Sequence, residues 1–197
     1  AYNAILAEAN GSATDATSTN PTQADYTAIG ADIGAAATDT QKLGLLNDVV
    51  ANQATTGVDT VTKINTLAQI ANAIQTTVAG VIPSTPLTVT DFATAGLTGV
   101  TADNLPALLN VLKAQDDNGV ATDTVVELQA LINAIAPNVN LISMAAEGNT
   151  ANTLSTTEFT SAGVTGVDST NLPAVLDALN TANNTGAATD TTAKVQT

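Results

Sequence analysis

The sequence contains no cysteine, histidine, tryptophan or arginine, and its aromatic residues are two tyrosines and two phenylalanines. Without cysteine or histidine, the chain cannot carry a zinc finger, a thiolate nucleophile, a catalytic triad or a haem ligand. No pattern places two carboxyl groups in an apolar cleft, and so few rings give no stacking platform for a sugar. We therefore predict that the protein is not an enzyme and has no cofactor.

Positive charge is also scarce, because four basic residues face 18 acidic ones and the formal net charge is −14. Such a chain cannot neutralise a phosphate backbone, so we expect no nucleic acid partner. No uninterrupted apolar run approaches the ~18 residues that cross a bilayer, so we also expect no membrane insertion. The hydrophobic fraction of 44% is too high for an acidic disordered tail. We expect small packed layers of aliphatic residues.

The composition also bears on location. Threonine, asparagine, alanine and glycine dominate, and neither cysteine nor a signal-peptide pattern is present. A polar surface built from hydroxyl and amide groups is typical of secreted proteins, so we predict an extracellular or cell-surface location. The sequence begins at Ala1 with no initiator methionine, which we interpret as a processed product or an excised stretch.

An internal repeat organises the second half of the chain. Residues 87–100, LTVTDFATAGLTGV, recur without a gap as residues 154–167, LSTTEFTSAGVTGV, at an offset of 67. Two further motifs recur at the same offset, NLPALL as NLPAVL and GVATDT as GAATDT. Self-similarity at a fixed period is the signature of a repeat architecture.

A diverged copy precedes these two. Tyr26 lies 66 residues before Phe92 in a similar context, and the apolar spacing of residues 64–74 matches that of residues 125–135. Tyr26, Phe92 and Phe159 therefore occupy one repeat position, which we interpret as the core anchor of the first helix in each copy.

The repeat phase also relates the two ends of the sequence. Residues 189–197 match 122–130, and the middle copy continues with LINAI, which residues 1–5, AYNAI, resemble. Joining the end of one unit to the start of the next restores a helix in register. We therefore predict that Tyr2 and Ile5 contact Val195 of the neighbouring unit.

These observations predict a mainly α fold of three tandem repeats, each of about three short helices, stacked as an extended array. The predicted divisions are residues 1–20 as the end of a preceding repeat plus a linker, 21–86 as a diverged first repeat, 87–153 as a second repeat, and 154–197 as a third repeat. The third repeat is truncated in its last helix and is completed by residues 1–5 of the next unit.

Local signals define the helices of one repeat. Thr88-x-x-Asp91 has the form of a capping box, and the first helix should end near the glycine at 96. Asp103 or Asn104 should cap a second helix, and a third should begin near Thr124. The helical faces that we expect to be buried are Leu105, Leu108, Leu109 and Leu112 in the second helix, and Val125, Leu128, Leu131, Ile132 and Ile135 in the third.

The segments between copies are rich in threonine, asparagine, serine, glycine and proline. Residues 6–23, 75–87 and 136–153 are therefore predicted to be linkers or surface loops. Residues 78–82 and 139–143 inside them could form minor short strands.

The motifs Thr-x-x-Asp/Glu-Phe, Ala-Gly-x-Thr-Gly-Val, Asn-Leu-Pro-Ala-x-Leu and Gly-x-Ala-Thr-Asp-Thr resemble tandem helical repeats of very large secreted bacterial proteins. Those proteins are adhesin-like or matrix-like, and the repeats act as stalks or scaffolds. The resemblance covers residues 87–197 well and 1–86 loosely. It implies a surface or matrix role and carries over no catalytic residue.

One acidic loop offers clustered oxygen ligands. Asp116, Asp117 and Asp123 could hold Ca²⁺, which binds carboxylate and carbonyl oxygens, although their spacing does not match an EF-hand. The alternative, which we favour, is a solvated turn between two helices. Residues 10–12 and 183–185 match the N-glycosylation sequon, a short pattern that a chain rich in asparagine and threonine also produces by chance.

The leading functional prediction is a structural repeat unit of an extracellular bacterial filament, stalk or biofilm-matrix fibre. Its expected partners are copies of itself or flanking repeats, joined head to tail. The alternative is an adhesin-type binding module that presents its inter-helix loops to a receptor or a polysaccharide. A loop that is aromatic or charged in one copy only would favour the alternative, and Asp116-Asp117 is the sole candidate.

Overall fold

The computed structural model describes residues 1–11, 20–116, 122–147, 153–181, 189 and 191–196. Within those residues the protein is mainly helical and contains no β-strand, which confirms the predicted fold class at that level. The described α-helices are α1 (Tyr2–Glu8), α2 (Gln23–Ala28), α3 (Thr40–Ala51), α4 (Val61–Val78), α5 (Val89–Thr94), α6 (Leu105–Lys113), α7 (Val125–Glu147), α8 (Thr156–Ser161), α9 (Leu172–Thr181) and α10 (Thr192–Val195). Short 3₁₀ helices lie at Gly34–Ala37 and Thr55–Gly57.

The chain divides into two compact units, the first of which comprises Ala1–Val100 and Gln115–Gln129. In this unit α3 packs against α4, and α1 packs against α2 and α3. Ile5 of α1 is completely buried. The buried aliphatic residues of the two central helices are Leu45, Leu46, Val49 and Val50 in α3, and Ile64, Leu67, Ile70, Ile74 and Val78 in α4. Each such side chain stabilises the fold by roughly 1.5–3 kcal/mol relative to an exposed position.

The second unit comprises Thr101–Ala114 and Ala130–Thr197. In this unit α6 packs against α8, and Phe159 of α8 is completely buried. The other large side chains buried in this unit include Leu108, Val111 and Leu112 of α6 and Ile132, Ile135 and Ile142 of α7.

Three short helices begin with the predicted type of capping box. Thr22 with Asp25, Thr88 with Asp91, and Ser155 with Glu158 each exchange side-chain and backbone hydrogen bonds across the first turn. In the third of these, the hydroxyl and backbone amide of Ser155 donate to Glu158 at 2.6 and 2.7 Å and lower the pKa of that carboxyl group. The boxes fix where α2, α5 and α8 begin.

The prediction for residues 136–153 is wrong over its first part, because α7 continues to Glu147 and includes the predicted strand at 139–143. The buried side chains of Val139, Ile142 and Ala146 continue the helical spacing, so packing maintains the helix through Pro137 and Asn138, which are typical of loops. The other predicted strand is also wrong, because Val78 ends α4 and residues 79–82 form an irregular turn. Gly80 adopts φ +74° in that turn, which breaks an extended path.

The buried face of α6 also differs from the prediction. Leu105 and Leu109 are half-buried, whereas Ala107 and Val111 are buried beside Leu108 and Leu112. The helix is therefore rotated relative to the leucine pattern, so that the small residue Ala107 lies on the buried face. In α7 four of the five predicted residues are buried, and Leu131 is half-buried.

One described helix, α7, is long and apolar enough to cross a bilayer by length and composition, with 33% of the relevant stretch buried inside the protein. A core helix of a water-soluble protein meets the same criterion, so this is weak evidence for a membrane span.

Candidate functional site: the contact between successive copies

The same helix-ending turn occurs in all three sequence copies. Its glycine has positive φ, +75° at Gly30, +83° at Gly96 and +76° at Gly163. The residue after each glycine donates its amide to the carbonyl of the copy's aromatic residue, at 3.0, 2.9 and 2.9 Å respectively. The aromatic side chains Tyr26, Phe92 and Phe159 are at most 1% exposed, which confirms their role as core anchors. We call this structure the glycine turn.

The residues that follow the second helix of the first copy contact the glycine turn of the second copy. The amide of Asn52, which follows α3, donates to the carbonyl of Gly96 at 3.3 Å. The neighbouring Gln53 donates to the carbonyl of Thr94 at 3.0 Å. A Cβ added at Gly96 would collide with the Asn52 side chain. The glycine therefore serves both the left-handed turn and the close approach of the asparagine.

The second helix of the second copy contacts the glycine turn of the third copy through a different residue position, because Asn110 lies inside α6 whereas Asn52 follows α3. The amide of Asn110 in α6 donates to the carbonyl of Gly163 at 3.0 Å. A Cβ added at Gly163 would lie 2.5 Å from the carbonyl oxygen of Ala107, so two backbones are in direct contact here. Only glycine fits at this position because the colliding atoms are backbone and cannot rotate away.

A glutamine from the third helix holds the residue that follows the glycine turn. Thr98 donates its backbone amide to Gln129 at 2.9 Å, and Gln129 donates back to the Thr98 carbonyl at 3.0 Å. Thr165 and Gln196 form the same pair at 2.6 and 2.9 Å, again at an offset of 67. In the first copy the side-chain oxygen of Asn65 accepts from the matching backbone amide at 2.9 Å. The third helix is thereby fixed to its own copy.

Carboxyl groups meet at the start of α7. Asp48 of α3 accepts a hydrogen bond from the Val125 amide at 3.1 Å, and Glu127 accepts from the Thr124 amide at 3.0 Å. Burial is the main cause that raises the pKa of Asp48, and the nearby charges of Glu8 and Glu127 raise it further. A residue of the first copy thus caps the third helix of the second copy, at an electrostatic cost.

The residues predicted to join neighbouring units lie at helix positions that match the repeat. Ile5 is fully buried, as is its repeat equivalent Ile135 at 3% exposure. Tyr2 is half-buried and donates its hydroxyl to the Val58 carbonyl at 3.4 Å. Val195 is half-buried, whereas its equivalent Leu128 is 1% exposed. Contact between Val195 and a neighbouring unit stays a prediction.

The structure describes two of the three candidate calcium ligands. Asp116 is exposed, and Asp123 lies at the start of α7 with its amide donating to Glu127 at 3.1 Å. Asp117 lies outside the described residues, as do residues 183–185 of the second sequon. Asn10 of the first sequon is exposed. Among the described residues, no group of three acidic, cysteine or histidine side chains is positioned to hold a metal ion, and calcium binding stays untested.

The first unit also has an open groove of about 640 Å³ beside α4. Its walls combine apolar groups such as Ile70 with amide and hydroxyl groups such as Gln69 and Thr76. Ile82 lines the groove and is 78% exposed.

No family model, curated protein or solved structure matches this chain. The resemblance to repeats of large secreted bacterial proteins therefore stays an interpretation of the motifs, and we infer function from the recurrent contacts.

Proposed function

We propose that this chain is a structural repeat unit of an extracellular bacterial filament, stalk or biofilm-matrix fibre, built from tandem helical copies. The observation that carries this proposal is the contact between successive copies, in which an asparagine amide binds the carbonyl of the next copy's glycine turn. The acceptor, the glycine carbonyl, recurs at Gly96 and at Gly163, and the donor asparagines lie 44 and 53 residues before it. A protein in which each copy packs on the same turn of the next copy can extend by adding copies.

The chemistry of the surface supports the same function. The chain has a net charge of −14, and its polar residues are mostly hydroxyl and amide side chains. Such a surface favours solubility over tight binding of anions or nucleic acid. The residues that recur between copies form turns, caps and packing contacts, and each has a structural role that needs no substrate.

Adjacent units join, in this proposal, through the third helix. Thr191 accepts from the Lys194 amide at the start of α10 in the way that Thr124 accepts from the Glu127 amide at the start of α7. Helix α1 buries Ile5 as the later part of α7 buries Ile135. Helix α10 followed by α1 would therefore reproduce a helix like α7, whether the next unit is the same polypeptide or another chain.

A head-to-tail fusion of two complete sequences tests this proposal. If the units couple, the fusion will have a higher free energy of unfolding per copy than the single chain. Val195→Asp in the N-terminal sequence of the fusion should abolish that gain, because the substitution places a charge at the half-buried position next to the junction. Val126→Asp is the matched control, since Val126 is 53% exposed. Equal unfolding energies per copy in the fusion and the single chain would refute the proposal.

The second candidate function is the adhesin-type binding module. The groove beside α4 favours it, because amide and hydroxyl groups next to exposed apolar carbon suit a polysaccharide. A glycan array separates the two functions: binding that is lost in Gln69→Ala, with the fold retained, would support the module. Absence of binding to any glycan would count against it.

A further inference from the structure

The glycine turn of the first copy is not covered as the other two are. A methyl group added at Gly30 would meet no atom of non-adjacent residues within 4 Å, whereas the same addition at Gly96 or Gly163 collides with the preceding copy. Ala31 is half-buried, and its equivalents Leu97 and Val164 are 2% and 6% exposed. The backbone of the turn is nevertheless formed, with the Ala31 amide bound to the Tyr26 carbonyl at 3.0 Å.

The second helix of the third copy presents the matching surface. Ala174 of α9 is the repeat equivalent of Ala107, which contacts the next glycine turn and is 1% exposed. Ala174 itself is exposed, and Val175 is half-buried where its equivalent Leu108 is 1% exposed. A helix face that is buried in the second copy is therefore open in the third.

The side chains on the two surfaces differ in size from their equivalents in the other copies. In the turn, Ile29 replaces an alanine that is completely buried in the other copies, at Ala95 and Ala162. On α9 the change is in the opposite direction, because Val175 replaces a leucine and Ala178 replaces a valine. In the same turn, Ala31 is smaller than its equivalents Leu97 and Val164, so side-chain volume in the turn is redistributed.

We propose that α9 of one unit docks on residues 28–31 of a second copy of the chain, as α6 docks on the glycine turn of α8. This inference rests on the proposed function and specifies its interface. The occupant is identified by continuity, since Ala107 of α6, the repeat equivalent of Ala174, contacts the glycine turn of the next copy within this chain. Ala174 would lie against Gly30, and the two units would contact each other through backbone as well as side chains.

One substitution limits the strength of this interface. Asp177 stands at the repeat position of Asn110, whose amide donates to the glycine carbonyl. A carboxylate has no proton to donate and faces a carbonyl oxygen in the docked geometry. Asp177→Asn should therefore strengthen the association of units.

The absence of cysteine allows a direct test by cross-linking. In the head-to-tail fusion of two whole sequences, Ala174→Cys in the N-terminal sequence and Ala31→Cys in the C-terminal sequence should react with a short bifunctional maleimide. The control moves the second cysteine to Ala35, which is exposed on the nearby 3₁₀ helix. Docking predicts cross-linking at least about tenfold faster for the first pair, because the contact raises the effective concentration of the thiols. Equal rates would overturn the proposed docking.

A second set of variants separates this inference from the proposed function. Ala174→Arg in the N-terminal sequence of the fusion should return the free energy of unfolding per sequence to that of the single chain. Ala136→Arg, at another exposed helix position, should not. If the fusion is stabilised and Ala174→Arg has no effect, the docking surface is wrong and the tandem array stands. If the free energy of unfolding per sequence is the same in the fusion and in the single chain, the docking surface and the tandem array are both contradicted. Asp177→Asn should increase the stability of the fusion relative to the single-chain variant, and a decrease would contradict the proposed geometry.

Discussion

The glycine turns allow the cost of backbone conformation to be separated from the cost of packing. Substitution of Gly30 by alanine adds a methyl group that meets nothing, so its cost is the left-handed conformation alone, about 1–2 kcal/mol. At Gly163 the same methyl group would lie 2.5 Å from a backbone oxygen. Overpacking adds about 1–3 kcal/mol, so Gly163→Ala should cost about 2–5 kcal/mol.

Gly96→Ala should fall between these two variants. The colliding group is the side chain of Asn52, which can rotate away at the loss of one hydrogen bond worth about 1 kcal/mol. Gly166, with φ +81° and open space around it, is the matched control in the third copy and should behave like Gly30. Urea unfolding followed by circular dichroism measures all four variants. Equal costs at Gly30 and Gly163 would refute the close contact between copies.

Three further predictions concern the first unit and the acidic loop. Tyr26→Phe should cost about 1–3 kcal/mol, measured by urea unfolding, because it leaves the buried Asn47 side-chain oxygen without the donor now at 2.8 Å. Asp48→Asn should raise the thermal midpoint of unfolding at pH 7. Burial raises the pKa of Asp48, so the wild-type protein loses stability as the pH rises through that pKa. The asparagine keeps an oxygen that accepts the hydrogen bond from the Val125 amide. The gain should shrink as pH falls into the range where Asp48 is protonated, and a gain that is independent of pH would refute this reasoning. Millimolar Ca²⁺ should leave the midpoint unchanged, whereas an increase that Asp116→Asn removes would establish the calcium site.

Local features of the fold could be predicted from the sequence because they depend on residues close together in the chain. The capping box of Thr88 with Asp91 and the end of α5 before Gly96 follow from spacing alone. The length of α7 could not be predicted in the same way. Pro137 and Asn138 directly after Ala136 are typical of a helix end, and the helix is maintained beyond them by tertiary burial of Val139 and Ile142.

The residues that join successive copies were missed for a different reason. Asn52 and Asn110 donate to backbone carbonyls that lie 44 and 53 residues away, and any residue type provides a carbonyl acceptor. No side-chain pattern therefore marks the partner. The pairing of Gln129 with Thr98 had a usable signal, because Gln196 and Thr165 recur at the offset of 67. A search for polar residues that recur at the repeat offset could have identified it.

The central claim is that each copy of the 197-residue sequence stabilises the copy that is joined to it. The most direct measurement is the free energy of unfolding of fusions that contain one, two and three copies of the sequence, obtained under identical conditions. The proposed array predicts a free energy per copy that increases with the number of copies, because every added junction contributes one further interface. A free energy per copy that is the same in all three proteins would contradict it.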